Sequence, residues 1–389
     1  MVKGSGIAIA GAGPGGLAAA IALKRAGHSV TVFEQFDAPK PIGSGLILQP
    51  TGLAVLDWLG LGARMRHLGS RIDRLYGKAS DRVVLDVRYE VLGPLRGLAV
   101  HRAGLFNVLH DAVKAAGVEI RTRSKITGME KHSLILDQSE RVGPFDLVVD
   151  ALGSRSPLME FSSGPDYRKK LGYGAIWASL PWPGEPFDSH ALEQRYERAS
   201  IMSGVLPIGK RHESDSRQTA FFWSLKSSDY PAWRTAGLET WKASVLRLWP
   251  ETHGLMAHIV DADQMAMASY DHHTLSLPYG DRLVFIGDSA HSTSPQLGQG
   301  ANMALLDVMA LTEALERHKE LPGAFAAYAR ARRLHVKLYQ ALSWVFTPFY
   351  QSDSLVLPAM RDYLVAVMSR LPPAQRLLAS IVAGRLGLR

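Results

Sequence analysis

The 389-residue sequence contains no cysteine. Disulfide bonds, thiolate metal sites, iron–sulfur clusters and cysteine nucleophiles are therefore excluded. The sequence also lacks any uninterrupted apolar stretch that approaches the roughly 20 residues of a membrane-spanning helix. It has no internal repeat and no low-complexity linker. With 47% hydrophobic and 21% charged residues, this composition is typical of a globular protein, for which we expect a cytoplasmic location.

Basic residues exceed acidic residues, and the formal net charge is +8. Such a balance occurs in proteins that bind nucleic acid, anionic membranes or anionic cofactors. The basic residues are scattered, with short clusters such as 330–333, so a solvated surface is favoured and nucleic-acid binding is not expected. The segment 377–389 is amphipathic and basic enough for weak membrane contact through the C-terminal helices, although a docking helix is the commoner explanation.

The first part of the chain has the pattern of a βαβ unit. An apolar run at 6–13 predicts a strand that enters a tight turn. Residues 15–27 predict a helix that Gly27 closes, and residues 29–35 predict a second strand. The apolar stretch 7–23 has some likeness to a secretory signal, but its glycines interrupt it, and a strand–turn–helix explains it better.

Three glycines in this turn fit the pattern G-x-G-x-x-G. Gly11 makes the tight turn, Gly13 lets the backbone approach a pyrophosphate, and Gly16 lets helix and strand pack closely. The N-terminus of the helix then offers free N–H groups to the anion. Glu34 ends the second strand, where an acid accepts hydrogen bonds from ribose hydroxyls. These features predict an ADP-containing cofactor and leave FAD and NAD open.

The rest of the chain mixes strands and helices. The sequence predicts a loop and an amphipathic helix at 43–69, short strands at 71–100, a helix at 101–117, buried strands at 145–153 and 282–290, a helix from Gly300 to Arg317, and a helical tail at 323–389 that is broken by Pro348, Pro358 and the Pro372–Pro373 pair.

This order predicts an α/β fold with an α+β insert. The Rossmann-like cofactor domain is discontinuous and comprises residues 1–70, 101–155 and 280–320. A second β-sheet domain, also discontinuous, comprises residues 71–100 and 156–279 and covers the cofactor. Residues 321–389 form a C-terminal helical segment.

A second group of chemically informative residues lies at 287–316. Asp288 directly follows an apolar strand, where an acid can accept a hydrogen bond from a sugar or ribityl hydroxyl. A turn from Pro295 to Gly300 then precedes a helix. Its backbone N–H groups and the positive helix end are placed to face an anion, such as a reduced flavin over N1 and O2.

The segment GDSAHSTSPQLGQGANMALLD at 287–307 resembles the "GD" motif of the single-component FAD-dependent aromatic hydroxylases, the para-hydroxybenzoate hydroxylase-like family. The glycine turn with Glu34, HRAGLFNVL at 101–109 and FDLVVDALGSRSPL at 145–158 follow the layout of that family. The resemblance covers most of the chain, and the GD segment is its most specific part.

The resemblance implies an FAD-dependent monooxygenase. In such an enzyme NADH or NADPH reduces the flavin, O2 then forms a C4a-hydroperoxide, and an electron-rich aromatic or related apolar small molecule is hydroxylated. The cofactor carries the chemistry, so no catalytic acid–base pair is expected to stand out. The alternatives are a flavin dehydrogenase or reductase on the same fold and a flavin-binding, non-catalytic partner subunit. The oligomeric state is left open.

The resemblance also assigns residues to the site. Pro295 and Gly298 belong to the candidate active-site loop, and Trp177, Phe222 and Pro295 are candidates for substrate binding. The cofactor-binding residues that it implies are Gly11, Gly13, Pro14, Gly15, Gly16, Glu34, Gln35, Arg102, Ile126, Asp288, Gly298, Gly300, Ala301 and Asn302.

One position departs from the family pattern. The middle motif of the family ends its strand with Ala-Asp-Gly, whereas this chain has Leu152 in place of the acid. Asp150 lies two residues earlier, and side chains alternate along a strand, so we expect it to point to the same side and to compensate in part. A second G-x-G-x-x-G is absent, which favours a transient encounter with NAD(P)H.

Histidines 272, 273 and 291 lie near acidic residues, but a third ligand at a suitable spacing is absent. No metal site is therefore predicted, and we interpret these histidines as surface or packing residues.

Overall fold

The computed structural model describes residues 4–37, 44–365 and 371–388. The α-helices are α1 (Pro14–Arg25), α2 (Pro50–Trp58), α3 (Gly62–Leu68), α4 (Arg102–Ala115), α5 (Tyr230–Ala236), α6 (Leu238–Leu248), α7 (His253–Ala257), α8 (Gly300–Arg317), α9 (Leu321–Tyr350), α10 (Val356–Met360) and α11 (Pro372–Val382). The strands are β1 (Gly6–Ala10), β2 (Ser29–Phe33), β3 (Gly45–Leu48), β4 (Ser70–Ile72), β5 (Arg74–Ala79), β6 (Arg82–Arg88), β7 (Gly97–His101), β8 (Glu119–Arg121), β9 (Ile126–Glu130), β10 (Ser133–Leu136), β11 (Arg141–Val142), β12 (Leu147–Asp150), β13 (Asp166–Pro181), β14 (Ala191–Glu197), β15 (Ile201–Gly209), β16 (Gln218–Lys226), β17 (Ala266–Leu275), β18 (Tyr279–Gly280), β19 (Leu283–Phe285) and β20 (His291–Ser292).

The first sheet carries the predicted βαβ unit. Its strands follow the order β18-β19-β12-β1-β2-β8, and all pairs are parallel except β18 with β19. β1 and β12 are apolar along their length because helices and neighbouring strands cover both faces of the sheet. Helices α1, α2, α4 and α8 contribute to the same hydrophobic core. The Rossmann-like part of the predicted fold class is thereby confirmed.

The second large sheet has the order β20-β17-β13-β16-β15-β14-β5-β6 and is antiparallel except between β14 and β5. Two small antiparallel sheets accompany it, β3-β7-β4 and β11-β10-β9. Two strands cross the predicted domain boundaries: β7 pairs with β3 and β4, and β20 pairs with β17. Each of these strands lies where the chain passes from one predicted domain to the other, and each pairs with a strand on the far side of the predicted boundary. The domain limits therefore stay a proposal.

Two predictions about helices were wrong in detail. The helix expected within 43–69 is divided into α2 and α3, because the chain turns at Gly60, where φ is +68°. Pro348 does not end a helix, since it lies within the last turn of α9. There its missing N–H leaves a single backbone carbonyl without an intrahelical donor. Pro358 likewise lies within α10, whereas Pro372 and Pro373 begin α11 as expected.

Helix α11 is fastened to the body of the protein through its own backbone. The imidazole Nε2 of His335 donates to the oxygen of Gly384 at 3.0 Å, and the hydroxyl of Tyr339 donates to the oxygen of Ile381 at 2.8 Å. The side-chain amide of Gln299 donates to the oxygen of Val382 at 2.7 Å. The end of the chain therefore packs against α9 and against the loop that precedes α8. Within the described residues, no helix is long and apolar enough to cross a membrane.

We predict that the protein loses stability in mild acid, because two of its buried histidines, His101 and His335, have strongly lowered pKa values. Burial, chiefly, lowers the pKa of each to about 4, with Arg211 adding to the effect at His101 and Arg332 at His335. In the unfolded chain their pKa is near 6.5. Because the folded pKa values are depressed, both contributions are complete above about pH 6.5 and are lost as the pH falls towards 4.

His101 allows a clean measurement, because its Nδ1 caps α4 by accepting the N–H of Ala103 at 3.0 Å. Asparagine is also a good N-cap, so His101→Asn keeps the cap and removes the titration. We expect the difference in the free energy of unfolding between pH 7 and pH 5, measured with urea, to shrink by about 2 kcal/mol. The exposed His190→Asn serves as the control, and an equal effect there contradicts the prediction.

Candidate cofactor cleft and substrate cavity

The first and third glycines of the turn after β1 occupy positions where no side chain fits. Gly11 has a φ of +100°, and a Cβ there would lie 2.7 Å from the backbone oxygen of Ala151. A Cβ on Gly16 would lie 2.0 Å from the backbone oxygen of Gly11, far inside van der Waals contact. Both positions therefore require glycine for β1, β12 and α1 to pack as they do.

Gly13 lies instead beside open space at the start of α1. A Cβ on this residue would meet no other atom of the chain within 4 Å, and the φ of Gly13, −70°, suits any residue. The chain itself therefore does not require glycine at this position. Pro14 begins the helix, where its missing N–H costs no hydrogen bond. A Cβ on Gly15 would lie 3.5 Å from the Cβ of Ala304, which is an ordinary contact. The N–H groups at this helix end have no intrahelical acceptor. A diphosphate fits this turn.

Glu34 follows β2 and is largely buried against the glycine turn. Its Oε2 accepts the N–H of Ala12 and its Oε1 accepts the N–H of Phe36, both at 3.1 Å. The backbone oxygen of Glu34 accepts the N–H of Ser124 at 2.8 Å, which brings the start of β9 close to this edge. Gln35 is exposed there and Ile126 is buried. Their contacts with an adenosine group stay predictions.

Asp288 lies after β19 at the other side of the first sheet and lines a cavity of about 770 Å³. The carboxylate is exposed to this cavity but lies deep within the protein. This desolvation raises its pKa, while the charges of His291, Arg102 and His273 lower it. Arg102, at the start of α4, lines the same cavity. An acid and a cation therefore face one space, as expected for groups that hold a ribityl chain and a diphosphate.

A buried ionic cluster supports the loop that carries Asp288. Both oxygens of Asp307 are used: Oδ2 accepts the backbone N–H of Gly287 and a hydrogen bond from His291, each at 2.8 Å, and Oδ1 accepts Arg332 Nε at 2.6 Å. Burial alone raises the pKa of Asp307, but the charges and hydrogen bonds of His291 and Arg332 lower it to about 2. Asp307 thus remains a carboxylate and fixes the turn at Gly287.

Asp307 was not among the residues predicted from the sequence. A signal was present, since Asp307 is an acid in the middle of an otherwise apolar helix, where an ionised group requires partners. The three histidines were predicted to be surface or packing residues, and the structure shows that His272, His273 and His291 are all buried. Across residues 4–37, 44–365 and 371–388, no group of three or more His, Cys, Asp or Glu side chains is arranged to hold a metal ion.

The cavity brings together residues that are far apart in the sequence. The predicted residues that line it are Arg102, Trp177, Phe222, Asp288, Pro295, Gly298, Gly300 and Ala301. Gly298 adopts a left-handed conformation, with φ +61°, between the short turn at 295–297 and α8. The loop 295–301 therefore forms one wall of the cavity, and the N-terminus of α8 faces it. Direct contacts of these residues with a flavin stay predictions.

Asn302 has a different position from the one expected, because its side chain is fully buried and is not part of the cavity wall. Its Oδ1 accepts the N–H of Gln49 at 2.8 Å, and its Nδ2 donates to the oxygens of Ile47 and Gly298 at 3.1 and 2.9 Å. The side chain thus joins the 295–301 loop to the strand β3. If Asn302 contacts the cofactor, the contact is made by its backbone and not by its side chain.

An aromatic wall faces the loop 295–301. The rings of Trp177 and Phe222 lie on neighbouring strands, with centroids 4.6 Å apart and an angle of 33° between their planes. The indole Nε1 of Trp177 donates to the hydroxyl of Tyr270 at 3.3 Å. Burial raises the pKa of Tyr270, so this hydroxyl keeps its proton at neutral pH and can donate it to a ligand oxygen. Two of the candidate substrate residues, Trp177 and Phe222, are therefore adjacent, and Pro295 lines the same cavity.

The expected compensation by Asp150 was wrong. Asp150 is fully buried, and its carboxylate accepts the N–H of Leu152 at 2.9 Å and the hydroxyl of Ser156. Burial raises its pKa to about 7. Because both contacts lie within the following loop, this acid stabilises the loop 151–156 and does not face the cavity. Leu152 packs against a neighbouring hydrophobic cluster.

The chain is similar in sequence to known proteins. The family model described as "FAD binding domain" matches residues 5–136 and 175–339. A protein assigned as a 2-heptyl-3-hydroxy-4(1H)-quinolone synthase of Rhodococcus erythropolis is 28% identical, with 86% of each chain covered. The aurachin C monooxygenase/isomerase of Stigmatella aurantiaca is 26% identical, with 95% of this chain and 96% of the relative covered.

A solved structure shares the fold over nearly the whole chain. HpxO of Klebsiella pneumoniae, complexed with FAD and uric acid, superimposes with a TM-score of 0.80 at 20% identity and covers 98% of each chain. The fold and the glycine turn, with its open space at Gly13, agree with FAD as the cofactor. The chain therefore belongs to the FAD binding domain family and is a flavin-dependent monooxygenase of the para-hydroxybenzoate hydroxylase-like fold.

Proposed function

We propose that the protein hydroxylates an apolar aromatic heterocycle of the quinolone class that carries an aliphatic chain, with NADH or NADPH as the reductant. Each turnover consumes one O2 and one reduced nicotinamide with a proton. One oxygen atom replaces a ring C–H with C–OH, and the other leaves as water. FAD, when bound, supplies the hydride acceptor and the activation of O2.

The shape and chemistry of the cavity support this substrate class. Trp177 belongs both to the aromatic wall and to an apolar cluster that contains Leu85, Leu192 and Leu378. An aromatic ring held beside Trp177 and Phe222 would therefore have an aliphatic surface next to it. Further apolar residues of the cavity wall are Leu75, Val87, Met202, Leu206, Phe346, Phe349, Ile381 and Val382. The heptyl group in the name of one relative has the chemistry that such a surface would bind.

Polar groups of the cavity would orient the ring. The hydroxyl of Tyr270 accepts the Trp177 N–H and can donate its proton to a ring carbonyl oxygen. Gln49 lies on the cavity wall and accepts the hydroxyl of Tyr89 at 2.6 Å. Among the described residues that line the cavity there is no histidine, so no imidazole of the cavity wall is placed to deprotonate a substrate.

The expected result is that 2-heptyl-4(1H)-quinolone accelerates NADH or NADPH oxidation by the FAD-loaded protein and that the product gains one atom of 18O from 18O2. Nicotinamide oxidation with a product free of 18O indicates a flavin dehydrogenase or reductase. A third outcome is that neither NADH nor NADPH reduces the bound FAD, whereas a partner protein or free reduced flavin does. That outcome indicates a flavin-binding, non-catalytic partner subunit.

Two neighbouring leucines of α11 provide a matched pair for the aliphatic chain. Leu378 lines the cavity, whereas Leu377 is 50% exposed. Leu378→Trp should overfill the cavity and raise KM for the heptyl compound about 10- to 100-fold, which corresponds to about 1–3 kcal/mol. KM for 2-methyl-4(1H)-quinolone should change little, and Leu377→Trp should affect neither substrate. Equal effects of Leu378→Trp on both substrates contradict this placement.

A further inference from the structure

The exposed apolar side chains of this protein are concentrated near its C-terminus. Of sixteen large apolar side chains that are exposed among the described residues, ten lie between 334 and 388. Trp344 is 61% exposed, Leu355 is 74% exposed and Leu377 is 50% exposed. Large exposed apolar residues that occur together mark a surface that contacts something other than water. We call the exposed surface of α9, α10 and α11 the C-terminal face.

Positive charge is concentrated in the same segment. Residues 321–389 contain nine lysine or arginine residues and two aspartates, a net charge of +7 in a chain whose net charge is +8. The two aspartates form ion pairs. Asp353 lies 2.7 Å from the ammonium group of Lys226, and Asp362 lies 2.7 Å from the guanidinium group of Arg361. Two of the cations are buried and ion-paired, Arg332 with Asp307 and Arg361 with Asp362. The exposed cations among the described residues of the segment are Arg330, Arg333, Lys337, Arg376 and Arg385.

The long helix α9 shows how the two kinds of group are arranged. Arg333, Leu334, Lys337, Trp344 and Val345 are all exposed. Lys337 lies four residues after Arg333, three after Leu334 and seven before Trp344, and Val345 follows Trp344 directly. Such spacing places side chains on one side of a helix. The opposite side carries the buried His335 and Tyr339, which bond to the backbone beyond α11 and at its end. The exposed side of α9 therefore carries cationic and large apolar side chains next to each other.

We propose that the C-terminal face docks on the surface of an anionic lipid bilayer. Apolar side chains would enter the boundary between headgroups and acyl chains, and the arginine and lysine side chains would contact lipid phosphates. A second copy of this chain fits the face poorly, because it would place one cationic surface against another, with the same exposed side chains on both: Arg330, Arg333, Lys337, Arg376 and Arg385. An anionic bilayer satisfies both the apolar and the cationic groups.

The cavity gives this contact a consequence, which rests on the proposed function. Val345 and Met360 are 48% and 46% exposed and also line the cavity. They therefore belong both to the C-terminal face and to the wall of the substrate site. An apolar substrate dissolved in the bilayer would reach the cavity there without first passing through bulk water.

The test uses the full-length, FAD-loaded protein and vesicles of equal parts phosphatidylglycerol and phosphatidylcholine. Sedimentation should show binding at least tenfold stronger than to pure phosphatidylcholine, and the difference should shrink at high salt. Trp344→Ser combined with Leu377→Ser should reduce binding at least tenfold while FAD content is unchanged. The matched control, Trp58→Ser with Val260→Ser, removes two exposed apolar side chains elsewhere and should bind as the unaltered protein does.

Absence of sedimentation with the anionic vesicles overturns the proposal, as does an equal loss of binding in the control. A dimer in analytical ultracentrifugation that Trp344→Ser with Leu377→Ser dissociates, without vesicle binding, identifies a second copy as the occupant and also overturns it. Vesicle binding is measured without substrate, so a failure to hydroxylate quinolones leaves this result unaffected.

Discussion

Replacing Asp307 with alanine is expected to lower the free energy of unfolding by about 3–5 kcal/mol. The change leaves the guanidinium of Arg332, which is 4% exposed, without its carboxylate. It also removes the acceptor of the Gly287 N–H and of His291. A buried charge that loses its partner keeps its desolvation cost, and this makes the loss larger than the net value of the pair. Urea unfolding at pH 7 measures the effect.

Glu313→Ala is the matched control, since Glu313 lies on the same helix and pairs with Arg317 at the surface. Exposed pairs contribute about 0–1 kcal/mol. Equal losses for the two variants would show that Asp307 has no special role. Because the folded pKa of Asp307 is depressed to about 2, its contribution is present above about pH 4 and is lost as the pH falls towards 2. At pH 7 the difference in unfolding free energy between the two variants therefore includes the whole contribution of Asp307.

Gly13→Ala is expected to leave the fold intact and to weaken FAD binding about 10- to 100-fold, the equivalent of about 1–3 kcal/mol. The added methyl group would touch no atom of the chain within 4 Å, so unfolding should be almost unchanged. It would instead occupy the space in which the diphosphate approaches the backbone. Flavin fluorescence on titration of the apoprotein gives the dissociation constant.

Two other glycines serve as controls for Gly13. A Cβ on Gly254, in the distant helix α7, would also meet nothing within 4 Å, so Gly254→Ala should leave both folding and FAD binding intact. Gly16→Ala would place a Cβ 2.0 Å from the oxygen of Gly11 and should destabilise the protein whether or not FAD is present. If Gly13→Ala binds FAD as tightly as Gly254→Ala does, the diphosphate does not lie at this turn.

The sequence predicted those parts of the molecule whose residues are constrained by local geometry. The helix from Gly300 to Arg317 was predicted with its observed limits, because its apolar periodicity and the preceding glycine turn are both local signals. The βαβ unit was predicted for the same reason. By contrast, the division of α2 from α3 depends on the backbone conformation at Gly60, and glycine is compatible with several conformations.

Side-chain partners were harder to predict because they depend on packing between distant segments. Asp150 is on the expected strand, but the contacts with Leu152 and Ser156 turn its carboxylate into the next loop. Asn302 is next to the expected cavity, yet its amide joins β3 to the 295–301 loop across more than 250 residues of sequence. Neither outcome follows from periodicity or from residue type.

The way in which α11 is attached has a consequence for how substrate preference can diverge among related proteins. His335, Tyr339 and Gln299 all bond to backbone oxygens, those of Gly384, Ile381 and Val382. Since these acceptors exist whatever the side chains are, mutations in α11 can reshape the cavity wall without removing the bonds that hold the helix. This last helix can thus vary during evolution, while the distant glycine turn that receives the cofactor stays the same.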